Sequence, residues 1–532
     1  MASHEQRIVQ FLLRPSSYPH AAAPVERRET HVSHVFLAGP FAYKVKKPVK
    51  FPFVDASTLA QRRKFCRWEL TLNRRLAPTV YLGMVPIVET GRGLALGGRG
   101  RIVEWAVKMR RLPEQRMLDR LVARRRVTRR DMAAIADRLL PFFAKAGRGP
   151  RINRFGLPAS VRQLVLGNLE ECQPFIGALL SESDRRLLEA AYRQFLALQE
   201  PVFERRVREG RIIDGHGDLR CENICLPAPR RQAGAEGVQV FDCVEFEPAF
   251  RCGDIANDFS FLVMDLESRG RRDLAAALAG RYRARLADPT FPAVLPFYKC
   301  HRSLVRGKVR GFAWQQHPGT AEGRRLAGIA RGHFRLAVEY ARAFAPPRLI
   351  VVGGVIGSGK STLALGLAER LGAVWLRSDE IRLAEFAGAR RARQGFGEGL
   401  YAAGVSAQVY ERLIRRAGAA IAGGSSVVCD GTFSKAEGRE RLRRTAGRLG
   451  ASFHFIECAV PKAVALRRIA KRRAARSDIS EARPEHYERL KAGFEPVRRW
   501  PASAWSRVSD NRPAHETLEA ALCALRRAWG NT

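Results

Sequence analysis

The sequence predicts two units of different fold class: an α+β unit over residues 1–345, and an α/β unit with a parallel sheet flanked by helices over residues 346–532. Three observations carry this division. First, Ala345-Pro346-Pro347 follows a helical pattern (His333 to Ala343) and precedes an apolar strand, Leu349-Ile350-Val351-Val352. Paired prolines do not continue a helix, so a linker fits there. Second, a glycine-rich segment and then a helical pattern follow that apolar strand directly. Third, the first hundred residues alternate in strand fashion and then give way to mostly helical sequence. A chain of 532 residues also exceeds what one ordinary core accommodates.

Taken in order, strands are expected around His31 to Phe36 and Ala42 to Lys46, joined by a turn at Ala38-Gly39-Pro40. A helix follows over Leu59 to Leu76, then a strand over Ile102 to Met109. Helices are expected at Arg129 to Ala144, Ser160 to Ile176 and Ser183 to Gln199. Two short strands, Ile212-Ile213 and Val238 to Phe241, flank a loop, and a helix returns at Asp254 to Leu266. In the second unit, strands are expected at 349–352, at Val374 to Ser378 and at Val427-Val428-Cys429. The helix after the glycine-rich segment runs from Thr362 to Leu371.

Composition bounds the function. Apolar residues make up 46% and charged residues 27%, a globular balance. The net charge of +41 comes largely from arginine spread along the whole chain, which favours anionic ligands and leaves a nucleic-acid partner open. Cys221 and Cys225 lack the partner pair of a zinc site, so the ten cysteines read as reduced thiols of a cytosolic protein. The start of the chain has no signal-peptide layout, and no apolar run reaches the ~18 residues of a membrane helix. The expectation is a cytoplasmic protein without a membrane segment.

The most specific motif is Gly354-Val355-Ile356-Gly357-Ser358-Gly359-Lys360-Ser361, a P-loop. Gly354, Gly357 and Gly359 let the backbone curl so that N–H groups, including that of Ser358, point at phosphate oxygens. Thr362 opens the helix whose N-terminus faces the same anion. Lys360 reaches the β- and γ-phosphates of ATP, and the Ser361 hydroxyl coordinates magnesium. Asp379, at the carboxyl edge of the sheet, can orient or deprotonate an acceptor hydroxyl, and Arg382 shares its helical face. Asp430, in Asp430-Gly431-Thr432-Phe433, is placed as a second magnesium-side carboxylate. An arginine among Arg468, Arg472, Arg473 and Arg476, ahead of Ser477-Asp478, can supply transition-state charge as a lid residue; the sequence does not say which.

The first unit has a second constellation. His216-Gly217-Asp218-Leu219-Arg220-Cys221-Glu222-Asn223 is a His-x-Asp-x4-Asn loop, with Asp218 as proton acceptor, Asn223 as magnesium ligand and His216 structural. At hairpin distance follows Phe241-Asp242-Cys243-Val244-Glu245-Phe246, where Asp242 would bind magnesium. A lysine on a small-lobe strand and a helix carboxylate should complete the set. Lys44 and Glu69 fit, and Lys46 lies on the same face as Lys44, so the choice of lysine stays open.

Two resemblances follow from these residues. The P-loop, the Asp379/Arg382 pair, Asp430-Gly431-Thr432 and the Arg-rich lid, over residues 348 to about 525, resemble the small P-loop kinases: zeta toxins, chloramphenicol phosphotransferase, gluconate kinase and the kinase part of phage polynucleotide kinase. The His216–Asn223 loop, Asp242 and Asp254-Ile255-Ala256-Asn257-Asp258-Phe259, over about residues 30 to 310, resemble the aminoglycoside phosphotransferase and choline kinase family. That family implies a bilobal protein-kinase-like fold, with Asp254 and Asp258 bracing the loop. The first hairpin has only Gly39 and no Gly-x-Gly-x-x-Gly. The order of modules looks like bacterial aminoglycoside phosphotransferase/ATP-binding fusions. Together they imply an ATP- and magnesium-dependent phosphotransferase with two kinase modules, the first acting on a small-molecule hydroxyl. Alternatives are a polynucleotide 5′-hydroxyl kinase, a nucleotide-sensing regulator with one inactive module, or a toxin-like kinase of sugar nucleotides. Glu245, Glu247, Asp254, Asp258, Asp265 and Glu267 concentrate acid near the first site, a reason to consider a polycationic acceptor.

Overall fold

The structure, a computed structural model, describes residues 4–51, 54–226, 237–386, 403–475 and 484–530. It divides into two compact units. One comprises Met1–Val161 with Glu204–Ser303, the other Arg162–Phe203 with Leu304–Thr532. This division by packing differs from the sequence boundary at Ala345. The helix Glu182–Leu198 is the physical reason, because its Ala197 and Leu198 are buried in the same core as Ile350, Val352 and Leu363 of the P-loop unit.

In the first unit, six antiparallel strands form one sheet. They are β1 (Val25–Glu29), β2 (Ser33–Ala38), β3 (Phe41–Lys46), β6 (Tyr81–Thr90), β7 (Gly93–Leu96) and β8 (Arg101–Arg110), in the order β1-β2-β3-β8-β6-β7. Between them a short ribbon pairs β4 (Lys50–Phe51) with β5 (Val54–Asp55). The β2–β3 turn needs Gly39: its φ is +57°, and a Cβ there would meet the Ala21 carbonyl oxygen at 2.3 Å. The helix Leu59–Asn73 packs on β6 and β8. Thr58 and Gln61 cap it reciprocally, each side chain bonding the other's backbone N–H. Farther along, β9 (Ile212–Asp214) pairs with β12 (Cys252–Asp254), and β10 (Ile224–Cys225) with β11 (Gln239–Val240). These two ribbons carry the His216–Asn223 loop and the Asp242 segment.

In the second unit, β13 (Arg348–Gly353), β14 (Val374–Arg377), β15 (Val427–Asp430), β16 (Ser452–Ala459) and β17 (Trp505–Ser509) form an all-parallel sheet in the order β14-β15-β13-β16-β17. Every residue of β13 is buried, as a central strand covered on both faces requires. The chain leaves β13 between two strands that continue in opposite directions across the sheet. Such a switch point opens a crevice at the strand carboxyl ends. Among the described residues, no helix is long and apolar enough to cross a membrane. Nine cysteines are buried thiols and Cys523 is exposed.

Candidate functional sites

The P-loop is shaped by contacts that only glycine permits. Gly354, Gly357 and Gly359 have φ of +147°, +75° and +84°. A Cβ on Gly354 would lie 2.4 Å from the Cys458 carbonyl oxygen, one on Gly357 2.6 Å from that of Ala465, and one on Gly359 would overlap the Asp510 carboxylate. The helix Lys360–Leu371 starts on Gly359 with no side-chain cap, which leaves its first-turn N–H groups to an anion. Two buried oxygens at this spot have no hydrogen-bond partner among the described residues, Ser358 Oγ and Asp430 Oδ1. Asp430 ends β15 opposite Val352, and the Ser361 hydroxyl helps to lower its carboxyl. Burial pushes the Asp430 carboxyl up, while Lys360, Ser361 and Arg377 pull the other way. An orphaned carboxylate oxygen beside a hydroxyl, a lysine and an uncapped helix start fits a magnesium–nucleotide, with Ser361 and Asp430 on the metal side and Lys360 on the phosphates.

Asp379 and Arg382 do come together, one helical turn apart on Ser378–Phe386, at 3.9 Å. Arg382 is buried and donates to Ser406 Oγ at 3.2 Å. Of the lid candidates, Arg468 is held by Asp510, through the carboxylate and through its carbonyl at 2.8 Å. Arg472 and Arg473 lie on the helix Lys462–Ala475, but their side chains, and Arg476, Ser477 and Asp478 entirely, fall outside the described residues.

In the first unit the predicted residues assemble around two loops. The Asp218 carboxylate accepts from Arg220 Nε and Nη2, both at 2.7 Å, and from Asn223 Nδ2 at 2.8 Å. The Asn223 carbonyl accepts the Phe241 N–H at 3.0 Å, which sets Asp242 next to the loop. Asp242 has φ +63°, a strained conformation for a non-glycine residue, and its side chain is 47% exposed. His216 joins the two segments. Its Nδ1 accepts the Asp218 N–H at 3.3 Å and its Nε2 faces the Phe241 carbonyl at 3.0 Å, so Nε2 carries the proton and the ring is neutral. Asp258 accepts from the backbone N–H groups of His216 and Gly217 at 2.7 and 2.9 Å.

The lysine question resolves into a chain of ion pairs. Lys44 Nζ lies 2.8 Å from both Glu69 Oε1 and Asp242 Oδ1. Lys46 Nζ lies 2.6 Å from Glu69 Oε2 and 2.5 Å from Glu245 Oε1. Lys44 beside it holds the Asp242 carboxyl down, to about 2. Burial pushes Glu245 up against the pull of Lys46. For Glu69, burial raises the carboxyl, but Lys44 and Lys46 together bring it below the usual range.

The six nearby acids are already engaged. Glu245 takes Lys46, Glu247 the Ala249 N–H, Asp254 Arg206, Asp258 the loop backbone, Asp265 the Cys221 N–H and Arg269, and Glu267 Lys299. Four of them are thus paired with cations, while Glu247 and Asp258 take backbone N–H groups. Sequence reasoning missed Arg220 as the partner of Asp218. Its position two residues on was visible, but nothing in the pattern says that an arginine folds back.

His216 carries a pH prediction. Burial lowers its pKa. A histidine depressed in the folded state contributes stability that is present above its unfolded value of ~6.5 and lost as pH falls through its folded value. His216 should therefore contribute a decline in the thermal stability of the first unit between about pH 7 and pH 5, against the opposite contribution of the raised Glu245 carboxyl. His216→Gln should flatten that slope; an unchanged slope would contradict the role.

A family model described as the AAA domain matches residues 349–497, which span β13, the P-loop and the strands beside it. Over 462 residues the chain is 33% identical to the uncharacterized protein Rv2004c of Mycobacterium tuberculosis, covering 86% of this chain and 88% of that protein. The chain belongs to the Rv2004c family. The uncharacterized protein Mb2027c of Mycobacterium bovis is similar to the same extent. Because the family alignment takes in most of both chains, it joins the two units described here in one kind of protein. Among solved structures, a sugar kinase from Janibacter sp. HTCC2649 is 24% identical with a TM-score of 0.28, covering 34% of this chain and 95% of that one. A choline/ethanolamine kinase family protein from Mesorhizobium loti is 14% identical with a TM-score of 0.37, covering 63% of this chain and 99% of that one. Overlaps of this size decide neither fold nor activity.

Proposed function

We propose that this protein is an ATP- and magnesium-dependent phosphotransferase with two kinase modules, residues 1–345 and residues 346–532, the first a bilobal protein-kinase-like domain. The observation that carries the reading is the P-loop site. Three glycines close a backbone cradle, the helix behind it is uncapped, and Asp430 Oδ1 is buried without a partner. Lys360 binds phosphate oxygens there, Ser361 and Asp430 hold the metal, and Asp379 orients an acceptor hydroxyl. In the first module, Lys44 held by Glu69 binds phosphates, Asn223 and Asp242 hold metal, and Asp218 accepts the proton of a small-molecule hydroxyl. Magnesium, when bound, supplies positive charge against the phosphate oxygens in both modules.

The burial of Arg382 weakens the oligonucleotide alternative, since a residue that docks a polymer end should be open to it. Nucleotide stoichiometry tests the two-site reading. By calorimetry with Mg·ATP, the wild type should bind about two equivalents, and Lys360→Ala and Lys44→Met about one each, since each removes a phosphate-binding lysine. Two equivalents in either variant would refute the site assigned to that lysine.

A further inference from the structure

Two lysines on β3 share one carboxylate, and the mechanism above uses only one of them. Lys44 and Lys46 are two residues apart on a strand, so both point to the same face. Each takes a different oxygen of Glu69, which is fully buried. The result is a linear chain, Asp242–Lys44–Glu69–Lys46–Glu245, with three carboxylates and two ammonium groups. Its two ends differ. Asp242 is half-exposed, whereas Lys46 and Glu245 are buried to within a few per cent. Were Asp242 to take a metal, as the kinase reading has it, Lys44 would lose one of its two carboxylates and keep only Glu69. A carboxylate bonded through one oxygen to a lysine can rotate about its own side-chain bonds. One ion-paired through both oxygens to two lysines of a single strand cannot do so without breaking a buried ion pair.

We propose that Lys46 is a positioning residue for nucleotide binding and phosphoryl transfer, acting through Glu69, with Glu245 as its fixed counter-charge. This rests on the kinase reading of the first module. Lys46 holds the far oxygen of Glu69, so Glu69 still aims Lys44 at the phosphates after Asp242 has left it. Glu245 lies three residues beyond Asp242, so its bond to Lys46 also ties the metal-side segment to β3.

The test uses the full chain with Lys360→Ala to silence the P-loop, Mg·ATP as ligand and water as acceptor. Lys46→Met alone would strand Glu245 in the interior, so the informative variant is Lys46→Met with Glu245→Met, which replaces a buried pair by apolar groups of similar size. Because Lys44 loses its alignment, the Mg·ATP dissociation constant should rise at least about 10-fold and kcat/KM for ATP should fall about 10- to 100-fold. Lys46→Arg should recover most of both. A double variant that binds and hydrolyses Mg·ATP like its parent, with only its Tm changed, would overturn the proposal. Lys44→Met is the companion control. If binding depends on Lys44 but not on Lys46, the positioning role alone falls. If binding is indifferent to Lys44 as well, the kinase reading of the module falls and takes the positioning role with it.

Discussion

Asp218→Ala should cut acceptor-dependent phosphotransfer by the first module about 10²- to 10⁴-fold, the usual worth of a positioned general base. The geometry sets this carboxylate apart. Arg220 holds both of its oxygens and Asn223 donates to one, so its position is fixed before any acceptor arrives. Arg220 also pairs with Glu222, so it keeps a partner when Asp218 is removed. The fold should therefore survive the substitution. Lys44, Glu69 and Asp242 are untouched by it, so Mg·ATP affinity should stay within about threefold, a difference of about 0.7 kcal/mol. Labelled γ-phosphate transfer in a Lys360→Ala background, with calorimetric binding in parallel, checks both halves. A joint loss of binding and turnover would assign Asp218 to nucleotide binding and away from proton transfer.

The largest stability effect is expected at Arg206. This guanidinium is completely buried and makes five hydrogen bonds. Two go to Asp254 at 2.6 and 2.7 Å, two to Asp288 at 2.9 Å and one to Thr290 at 2.6 Å. Arg206→Leu would leave two buried carboxylates without their cation, at a cost of about 3–5 kcal/mol. At about 2–4 °C per kcal/mol for a unit of this size, the Tm of the first unit should fall by about 10 °C. The consequence extends to the site. Asp254 caps the helix Ile255–Ser268, and Asp258 on that helix holds the His216-Gly217 backbone. Arg206→Leu combined with Asp254→Asn and Asp288→Asn should recover much of the loss, because the stranded charges are then gone. Thermal unfolding of the single and triple variants measures this, and equal melting temperatures would contradict it.

How much of this was legible beforehand varies by element. The P-loop was readable in full, because its chemistry is local: an apolar strand, glycines at set spacing, Lys360-Ser361 and a helical pattern. The β2–β3 hairpin, the helix Leu59–Asn73 and β8 also read cleanly, since their alternation or capping residues are intact. The strand β6 did not. It carries Gly83 and Pro86, and its pairing with β8 shifts register between Tyr81 and Gly83 and between Ile87 and Val88. The polar β1, exposed along most of its length, lacks an apolar face to betray it. The helix Glu182–Leu198 was visible as a helix, but its membership in the P-loop core is a tertiary fact. Likewise, Lys46 and Glu245 stand 199 residues apart, and no local pattern links them. At the sites, residue types were readable where a motif fixes spacing. Partners such as Arg220 on Asp218 or Arg468 on Asp510 had to be seen.

If both modules transfer phosphoryl groups, silencing them one at a time and together separates their turnover. Turnover of γ-labelled ATP should be measured for the wild type, Asp218→Ala, Lys360→Ala and the double variant, with magnesium and a panel of hydroxyl acceptors. Each single variant should lose part of the wild-type turnover, with a different acceptor dependence, and the double variant should lose all of it. Wild-type turnover persisting in the double variant would contradict the two-kinase reading.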